Sequence, residues 1–240
     1  MPTRSLVVYR GPSRYDPETI IRAVLVLRSA NVKTGDMAQL FILPDTVAPH
    51  TAQRTGDDAA VCGACPFRPL LSGGCYVTTF QGPLSTWRAT SGQAVAEPET
   101  VALALAGRAL RLGAYGDAAA LPPALVKRLV ANARGRVTGY THGHKLLGMA
   151  GIAHLRTSCM LSVETEGQAV AAHAKGWRTF RGRAEGAPLL ASEIECPSES
   201  RGIECVKCLL CRGASLPSAR SISLPVHGFA TRKALTVVAA

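Results

Sequence analysis

The spacing of hydrophobic and polar positions in this chain changes at about residue 97. Before that point, short apolar runs separated by polar turns predict β-strands at 6–9, 23–27 and 39–43. The last two flank a polar stretch, 31–36, that is typical of a long hairpin loop. Residues 61–95 are rich in Cys, Gly and Pro and show little periodicity. We therefore expect an N-terminal β section, 1–60, followed by a Cys-rich segment, 61–96.

From residue 97 onward, helical spacing alternates with strand-like apolar runs. The predicted helices are 99–110, 122–134, 145–155 and 165–174, and the predicted strands are 111–115, 136–141, 158–163, 177–180, 189–195 and 221–226. The clearest unit is the helix that begins with the capping box Thr165 and Gln168 and ends at Gly176. Repeated strand–helix–strand units predict an α/β fold with a parallel sheet or incomplete (βα) barrel. Residues 97–240, with a C-terminal Cys-rich loop, form this core, and we expect one structural unit.

Seven of the eight cysteines fall into two groups. The N-terminal cysteine group is Cys62-x2-Cys65-x9-Cys75, and the C-terminal cysteine group is Cys196-x8-Cys205-x2-Cys208-x2-Cys211. In a reducing compartment, cysteines at such close spacings are typical of metal ligands rather than of disulfides. The sequence therefore predicts metal binding by thiolates.

The C-terminal cysteine group supplies four thiolates within sixteen residues, which is enough for a complete site. Three sulfurs spaced by two residues can wrap one face of a cubane while a fourth arrives from elsewhere, so the spacing favours a [4Fe–4S] cluster. Zinc, which more often uses two separate Cys-x2-Cys knuckles, is the alternative.

The N-terminal cysteine group has three local ligands and needs a fourth. The candidates are Cys159, His50 and an atom of a substrate. Cys159 lies inside an apolar strand pattern, where a lone cysteine is also typical of core packing. An incomplete ligand set would leave one metal position open, as a catalytic centre requires. Both one shared metal centre and two separate ones are compatible with the spacing.

Polar residues stand at the ends of several predicted strands. In a parallel sheet, ligands bind outside the carboxyl ends of the strands. The candidate catalytic residues at these ends are Asp117, His142, Glu164 and Arg181. We expect the first three to supply acid–base or metal-binding groups and Arg181 to bind an anion. The structural alternatives are that Asp117 caps the next helix and that His142 begins a turn.

Basic residues outnumber acidic ones, and their excess lies in the second part of the chain. The sequence has 27 Lys and Arg against 16 Asp and Glu, a formal charge of +11, and residues 101–240 hold 18 of the basic and 8 of the acidic side chains. A basic surface attracts phosphate backbones, so nucleic acid is a plausible partner.

No uncharged apolar run reaches the length of about 18 residues that a transmembrane helix needs. The beginning of the sequence also lacks the apolar region of a signal peptide. We therefore expect no membrane partner and a cytoplasmic location.

Several short blocks of the sequence form a recognisable series: Asn31-Val-Lys-Thr-Gly35, Cys62-Gly-Ala-Cys65-Pro66, Gly74-Cys75-Tyr76, Gly113-Ala-Tyr-Gly-Asp117, Gly139-Tyr-Thr-His142, Gly176-Trp-Arg-Thr-Phe-Arg181, Cys196-Pro197 and the last three cysteines. In these blocks the sequence resembles a family of uncharacterised Cys-rich phage and prophage proteins. The chain departs from the family pattern at His144, where a bulky aromatic residue is expected. The resemblance implies a phage-related origin, the cytoplasm of the host as location, and a role in replication or nucleic-acid processing, but no specific reaction.

Two functional hypotheses follow. The first is a metal-dependent enzyme that acts on nucleic acid or on a phosphorylated small molecule. The second is a non-catalytic DNA- or RNA-binding module in which metal sites fix the loops. A polar cleft beside a metal centre would favour the first hypothesis, and a continuous Arg-lined surface would favour the second.

Overall fold

The computed structural model describes residues 5–29, 31–216, 218–227 and 231–238. Nine strands of these residues form one sheet: β1 (Ser5–Pro12), β2 (Ile20–Val26), β3 (Ala38–Pro44), β4 (Leu110–Tyr115), β5 (Val137–Thr141), β6 (Met160–Val163), β7 (Thr179–Arg183), β8 (Glu193–Glu195) and β9 (Ser221–Pro225). The described helices are α1 (Pro49–Thr55), α2 (Ala59–Cys62), α3 (Gly82–Ala89), α4 (Pro98–Leu105), α5 (Pro123–Asn132), α6 (His144–Gly151), α7 (Glu166–Ala174), α8 (Pro197–Arg201), α9 (Cys205–Cys208) and α10 (Thr231–Val238). Short 3-10 helices cover Ala118–Ala120, Ala153–Leu155 and Gly213–Ser215.

The sheet is antiparallel at its beginning and parallel over the rest of its width. Its spatial order is β1-β2-β3-β4-β5-β6-β7-β9-β8. β1 pairs with β2 and β2 with β3 in antiparallel fashion, and every pair from β3 to β8 is parallel. The expected α/β fold with a mostly parallel sheet is thereby confirmed. The N-terminal β section continues the same sheet, because β3 pairs directly with β4.

The two faces of the central strands carry different residues. The register pairs Leu110 with Val137 and Leu112 with Gly139, and these positions belong to the apolar core. The alternate positions Arg111 and Thr138 therefore point to the other face. We call this second face the cysteine face, because the C-terminal cysteine group lies over it.

The clearest sequence signal is confirmed in α7. Thr165 and Gln168 form a complete capping box, in which each side chain bonds the backbone N–H of the other residue. Gly176 follows the helix with a φ of 73°, in the left-handed region that glycine adopts without strain. Local chemistry alone therefore sets both ends of this helix.

Two predicted helices are shorter than their apolar patterns suggested. The helix predicted over 99–110 ends at Leu105, because Gly107 turns the chain with a φ of 74° before β4. The helix predicted over 145–155 is interrupted at Gly148, whose φ is 64° and ψ is 173°, and continues as a 3-10 turn. The longest described helix, α5, has 10 residues. None of the described helices combines the length and apolarity needed to cross a lipid bilayer.

The predicted hairpin loop connects β2 and β3 and packs against the C-terminal cysteine group. The N–H of Cys205 donates to the carbonyl of Lys33 at 2.8 Å, and the N–H of Val206 donates to the carbonyl of Thr34 at 3.2 Å. A Cβ on Gly35 would lie 2.7 Å from a methyl carbon of Val206. Only a residue without a side chain allows this close approach between the loop and α9.

Candidate metal centres and strand-end residues

The C-terminal cysteine group is assembled from separate pieces of the chain. Cys196 follows β8, and its N–H donates to the carbonyl of Ser223 at 3.0 Å, which fixes it to the sheet. Cys205 and Cys208 begin and end α9, and Cys211 follows shortly after. All four cysteines line one cavity of about 20 Å³ together with Arg111 and Tyr140.

Burial favours the protonated form of Cys196, Cys205 and Cys211. It raises the pKa of Cys196 and Cys205 above the ordinary value of 9.0, and that of Cys211 to about 12. Two neighbours oppose this effect: the charge of Arg111 lowers the pKa of Cys205, and the Tyr140 hydroxyl donates to the Sγ of Cys211 at 3.3 Å. Metal binding at this group would therefore displace protons.

Arg111 lies beside the C-terminal cysteine group and also contacts the segment that carries Cys75. Its guanidinium carbon is 5.8 Å from the centre of the Tyr140 ring, and its Nη2 donates to the hydroxyl of Tyr76, next to Cys75, at 3.3 Å. Burial by itself would lower the pKa of Arg111. The surrounding tyrosines and cysteines outweigh this effect and raise the pKa above its ordinary value. A buried cation thus lies beside Cys205 and Cys211 and contacts the residue that follows Cys75.

The N-terminal cysteine group lies on a loop that Arg68 holds in shape. The guanidinium of Arg68 donates to Oδ1 of Asp58 at 3.1 and 2.6 Å and to the carbonyls of Gly56 and Gly63 at 2.9 and 3.1 Å. Burial, and then the charges of the other two cysteines, raise the pKa of Cys62 well above its ordinary value. The three thiols are therefore close enough to interact electrostatically.

The strand ends bring His142 and Glu164 together. Nε2 of His142 lies 2.7 Å from Oε1 of Glu164, and Nζ of Lys145 lies 2.7 Å from Oε2. Burial would lower the pKa of His142, but Cys65 and Glu164 raise it to about 10. Burial would raise the pKa of Glu164, but His142 and Lys145 lower it.

Asp117 lies at the same edge of the sheet, but its carboxylate accepts hydrogen bonds from the turn and the strand end beside it. Its Oδ1 accepts from the N–H of Ala119 at 2.9 Å, and its Oδ2 accepts from the Thr141 hydroxyl at 3.0 Å and the His142 N–H at 2.8 Å. It is thus the N-cap of the 3-10 helix after β4, as the structural alternative for this residue predicted.

Arg181 does not join the other three residues in a cleft. Its Nε and Nη2 donate to the two carboxylate oxygens of Glu193 at 2.8 and 2.7 Å. Both side chains are almost fully buried, with exposed fractions of 5% and 0%. The positive charge that was expected to bind an anion is taken up by a carboxylate of the fold.

Of the candidate fourth ligands of the N-terminal cysteine group, Cys159 lies in the apolar core. Cys159 is fully buried before β6, and a Cβ on Gly139 would stand 2.6 Å from its Sγ. Since Gly139 points to the core, β5 separates Cys159 from the cysteine face, and its position suits packing. His50 is the second residue of α1, and its Nδ1 is buried without a hydrogen-bond partner among the described residues.

No group of three or more His, Cys, Asp or Glu side chains in the described part of the chain is arranged so that it could hold a metal ion as it stands. The donors themselves fit a thiophilic metal, because thiolate and imidazole ligands suit zinc and iron–sulfur clusters. Metal binding would have to draw the side chains of each group closer together.

Arg111 and Lys145 were not among the candidate residues of the sequence, and Tyr76 and Tyr140 were named only within the blocks that carry the resemblance. A signal for Arg111 existed, since it is a charged residue at an alternate position of a short strand that is otherwise apolar or small. Such a residue needs a partner on the second face. Nothing in the sequence indicated that this partner would be a cysteine site.

No protein-family model, no curated protein and no solved structure matches this chain. The resemblance to phage proteins therefore stays a prediction. Functional arguments for this chain rest on its own residues.

Proposed function

We propose that this protein binds nucleic acid and that its cysteine groups hold metal ions or clusters that fix the loops to the sheet. The observation that carries the proposal is a row of cations along the amino edge of the parallel strands. We call it the amino-edge row: Arg108, Arg134, Arg136, Arg156, Lys175 and Arg220. One or two of these residues lie shortly before each of β4, β5, β6, β7 and β9.

The topology aligns these cations in space. The five strands are consecutive neighbours in the sheet and run parallel, so their amino ends share one edge. Neighbouring strands are about 4.8 Å apart, and the five ends therefore span roughly 20 Å. A single strand of nucleic acid carries a phosphate about every 3.4 Å of the duplex axis, so several phosphates can face this edge at once.

Acidic residues do not interrupt the row. The segments that precede the five strands, 106–109, 133–136, 156–159, 175–178 and 218–220, contain no Asp or Glu. All of the cations except Arg108 are exposed. Only Arg108 forms an ion pair with a described residue, Asp36, at 3.5 Å. The other cations are available to phosphates.

A metal at the C-terminal cysteine group would stabilise the cysteine face. The four thiols surround one cavity, and the hairpin loop is bonded to α9, so one centre would hold both segments against β4 and β5. The Cys-x2-Cys-x2-Cys spacing supports a [4Fe–4S] cluster. The cavity volume of about 20 Å³ is close to the space for one water molecule and supports a single ion such as zinc.

A second candidate function is a metal-dependent enzyme that acts on nucleic acid or a phosphorylated small molecule. The His142–Glu164 pair beside Cys65 favours it, because it places a polar pair at a strand end next to thiols. Two of the four expected catalytic residues, Asp117 and Arg181, are bonded to the fold itself. Cys65 and Glu164 also raise the pKa of His142, which favours the protonated ring over the neutral form that a general base needs. Binding is therefore the better supported function.

Binding is tested with fluorescent single-stranded DNA, duplex DNA and RNA at several salt concentrations. The variant R136Q/R156Q/R220Q should lower the affinity at least tenfold and reduce the slope of log affinity against log salt for duplex DNA by roughly 3, since each lost phosphate contact removes about 0.9. The matched control R54Q/R88Q/R201Q removes three exposed cations from α1, α3 and α8. Equal losses in both variants, or no binding by the wild type at low salt, would contradict the proposal.

The metal is identified by anaerobic purification and assays of iron, acid-labile sulfide and zinc. Iron with sulfide indicates a cluster, and zinc without sulfide indicates single ions. The variant C205S/C211S should lose the metal of the C-terminal group. A protein that binds no metal after reconstitution with zinc or with iron and sulfide would overturn the metal part of the proposal. Hydrolysis of DNA, RNA or a phosphomonoester that H142A abolishes would establish the enzyme instead.

A further inference from the structure

His142 is held in one orientation by its surroundings. Its backbone N–H donates to Asp117, and its ring nitrogen Nε2 lies 2.7 Å from Glu164. Glu164 is itself fixed, because its N–H donates to Oε1 of Gln168 at 2.8 Å and its second oxygen pairs with Lys145. The imidazole therefore has one nitrogen bound to a carboxylate, and Nδ1 is left for another partner.

The N-terminal cysteine loop packs against the same imidazole. The thiol of Cys65 is within hydrogen-bonding reach of the His142 side chain, and the ring centre of Phe67 is 6.2 Å from that of His142. The N–H of Asp117 donates to the carbonyl of Val61 at 2.7 Å, directly before Cys62. The loop is thus fastened to the carboxyl edge where His142 stands.

We propose that Cys62, Cys65, Cys75 and His142 form a metal site with three sulfur ligands and one nitrogen ligand, in which Glu164 orients the imidazole. This inference deepens the proposal that the N-terminal cysteine group binds a metal, and it assigns the fourth ligand. Three cysteines and one histidine are a common ligand set of structural zinc. A ligating histidine almost always donates its other ring N–H to a carboxylate, carbonyl or water, which is the part that Glu164 plays here.

The charges around the site suit such a centre. Three thiolates and a neutral imidazole around a divalent ion leave one net negative charge. Lys145 stands on the far side of Glu164, and the charge of Arg68 acts directly on Cys62. Glu164 then acts as a positioning residue, and His142 as a ligand rather than as an acid–base catalyst.

The test uses the full chain, freed of metal and reloaded with ¹¹³Cd²⁺, whose NMR signal distinguishes four sulfur ligands from three sulfurs and one nitrogen. The wild type should show one signal for the C-terminal group in the four-sulfur region and one in the three-sulfur, one-nitrogen region. In H142C, which keeps four donors, the second signal should move into the four-sulfur region. The control H144A removes the neighbouring histidine and should leave both signals in place.

The role of Glu164 is tested by affinity. E164A should weaken zinc binding at this site 10- to 100-fold and preserve the mixed-ligand cadmium signal. E166A, which removes an exposed carboxylate two residues away, should not change the affinity. A mixed-ligand signal that H142C leaves unchanged would overturn the inference.

Two further outcomes separate this inference from the function proposed above. A cadmium signal that is lost in C62S but insensitive to H142C and H142A would refute the fourth ligand and leave the metal role of the cysteine group intact. The loss of nucleic-acid binding that is expected for R136Q/R156Q/R220Q does not depend on His142. The two proposals can therefore fail separately.

Discussion

The carboxylate of Asp117 accepts a hydrogen bond from the backbone N–H of His142 at 2.8 Å. Two residues that the sequence grouped as catalytic partners are thus connected through the backbone of the fold. The same carboxylate also accepts from Ala119 and Thr141, so three donors depend on a side chain that is 6% exposed. Its role is to shape the turn after β4 and the end of β5.

Replacing Asp117 should therefore affect stability first. We expect D117A to lower the free energy of unfolding by about 2–4 kcal/mol, because it leaves buried donors without an acceptor. D117N should lower the free energy of unfolding by less, since its amide oxygen still accepts a hydrogen bond. Urea unfolding measures both variants, with D36A as the control at a side chain that is 78% exposed. Equal stability of D117A and D36A would contradict this role.

The buried pair of Arg181 and Glu193 should behave as a coupled unit. E193A leaves the guanidinium buried without its partner and should lower the free energy of unfolding by about 3–5 kcal/mol. The neighbouring pair of Arg183 and Glu195 is the control: Glu195 is 40% exposed, and E195A should change stability by less than about 1 kcal/mol. A double variant, R181M/E193L, should recover much of the loss. Equal effects of E193A and E195A would contradict the assignment.

This pair also predicts a dependence on pH. Burial would raise the pKa of Glu193, but hydrogen bonds from Arg181 and the Leu190 N–H lower it below its ordinary value of 4.5. The contribution of Glu193 to stability is therefore complete above pH 4.5 and is lost as the pH falls through the lowered pKa. The difference in unfolding free energy between wild type and E193A should shrink in that acidic range. A constant difference from pH 6 to pH 3 would argue against it.

His154 should reduce stability at a milder acidity. Burial, then the charges of Arg14 and Lys127, lower its pKa from 6.5 to about 4. Between these values the unfolded chain binds a proton that the folded chain does not, so stability is lost as the pH falls from 6.5 toward 4. H154Q, which does not titrate, should gain about 1 kcal/mol of unfolding free energy relative to the wild type as the pH falls from 7.5 to 5. The gain is smaller than for a fully buried histidine, because solvent screens the charges around this partly exposed side chain. A difference in unfolding free energy between H154Q and the wild type that is the same at pH 7.5 and at pH 5 would contradict the prediction.

Arg111 should strengthen metal binding at the C-terminal cysteine group. Its charge favours the thiolate forms that a metal needs, so R111M should raise the dissociation constant for zinc about tenfold. R111K keeps the charge, and its dissociation constant for zinc should lie between those of the wild type and R111M. R128Q, which changes an exposed cation on α5, is the control. Competition with a chromophoric chelator measures all four proteins. A dissociation constant for zinc that is unchanged in R111M would show that the guanidinium acts only in packing.

Local signals in the sequence determined the elements. Short apolar runs identified the strands, and the capping box of Thr165 and Gln168 with Gly176 identified α7, because these interactions involve residues near one another in the chain. The alternation of strands and helices also indicated the parallel sheet. The helix end before Gly107 and the break at Gly148 were missed, because the apolar pattern continues through both glycines and does not reveal their positive φ.

Only the tertiary structure decided which polar residues meet. The sequence placed Asp117, His142, Glu164 and Arg181 at strand ends, but a strand end does not determine the partner of a side chain. Arg181 pairs with Glu193 and Asp117 with backbone donors, because a buried charge must find the nearest opposite charge or hydrogen bond. The approach of Cys65 to His142, and of Arg111 to Cys205 and Cys211, joins segments far apart in the chain. The sequence supplied the polar and thiol side chains, and the tertiary structure decided their neighbours.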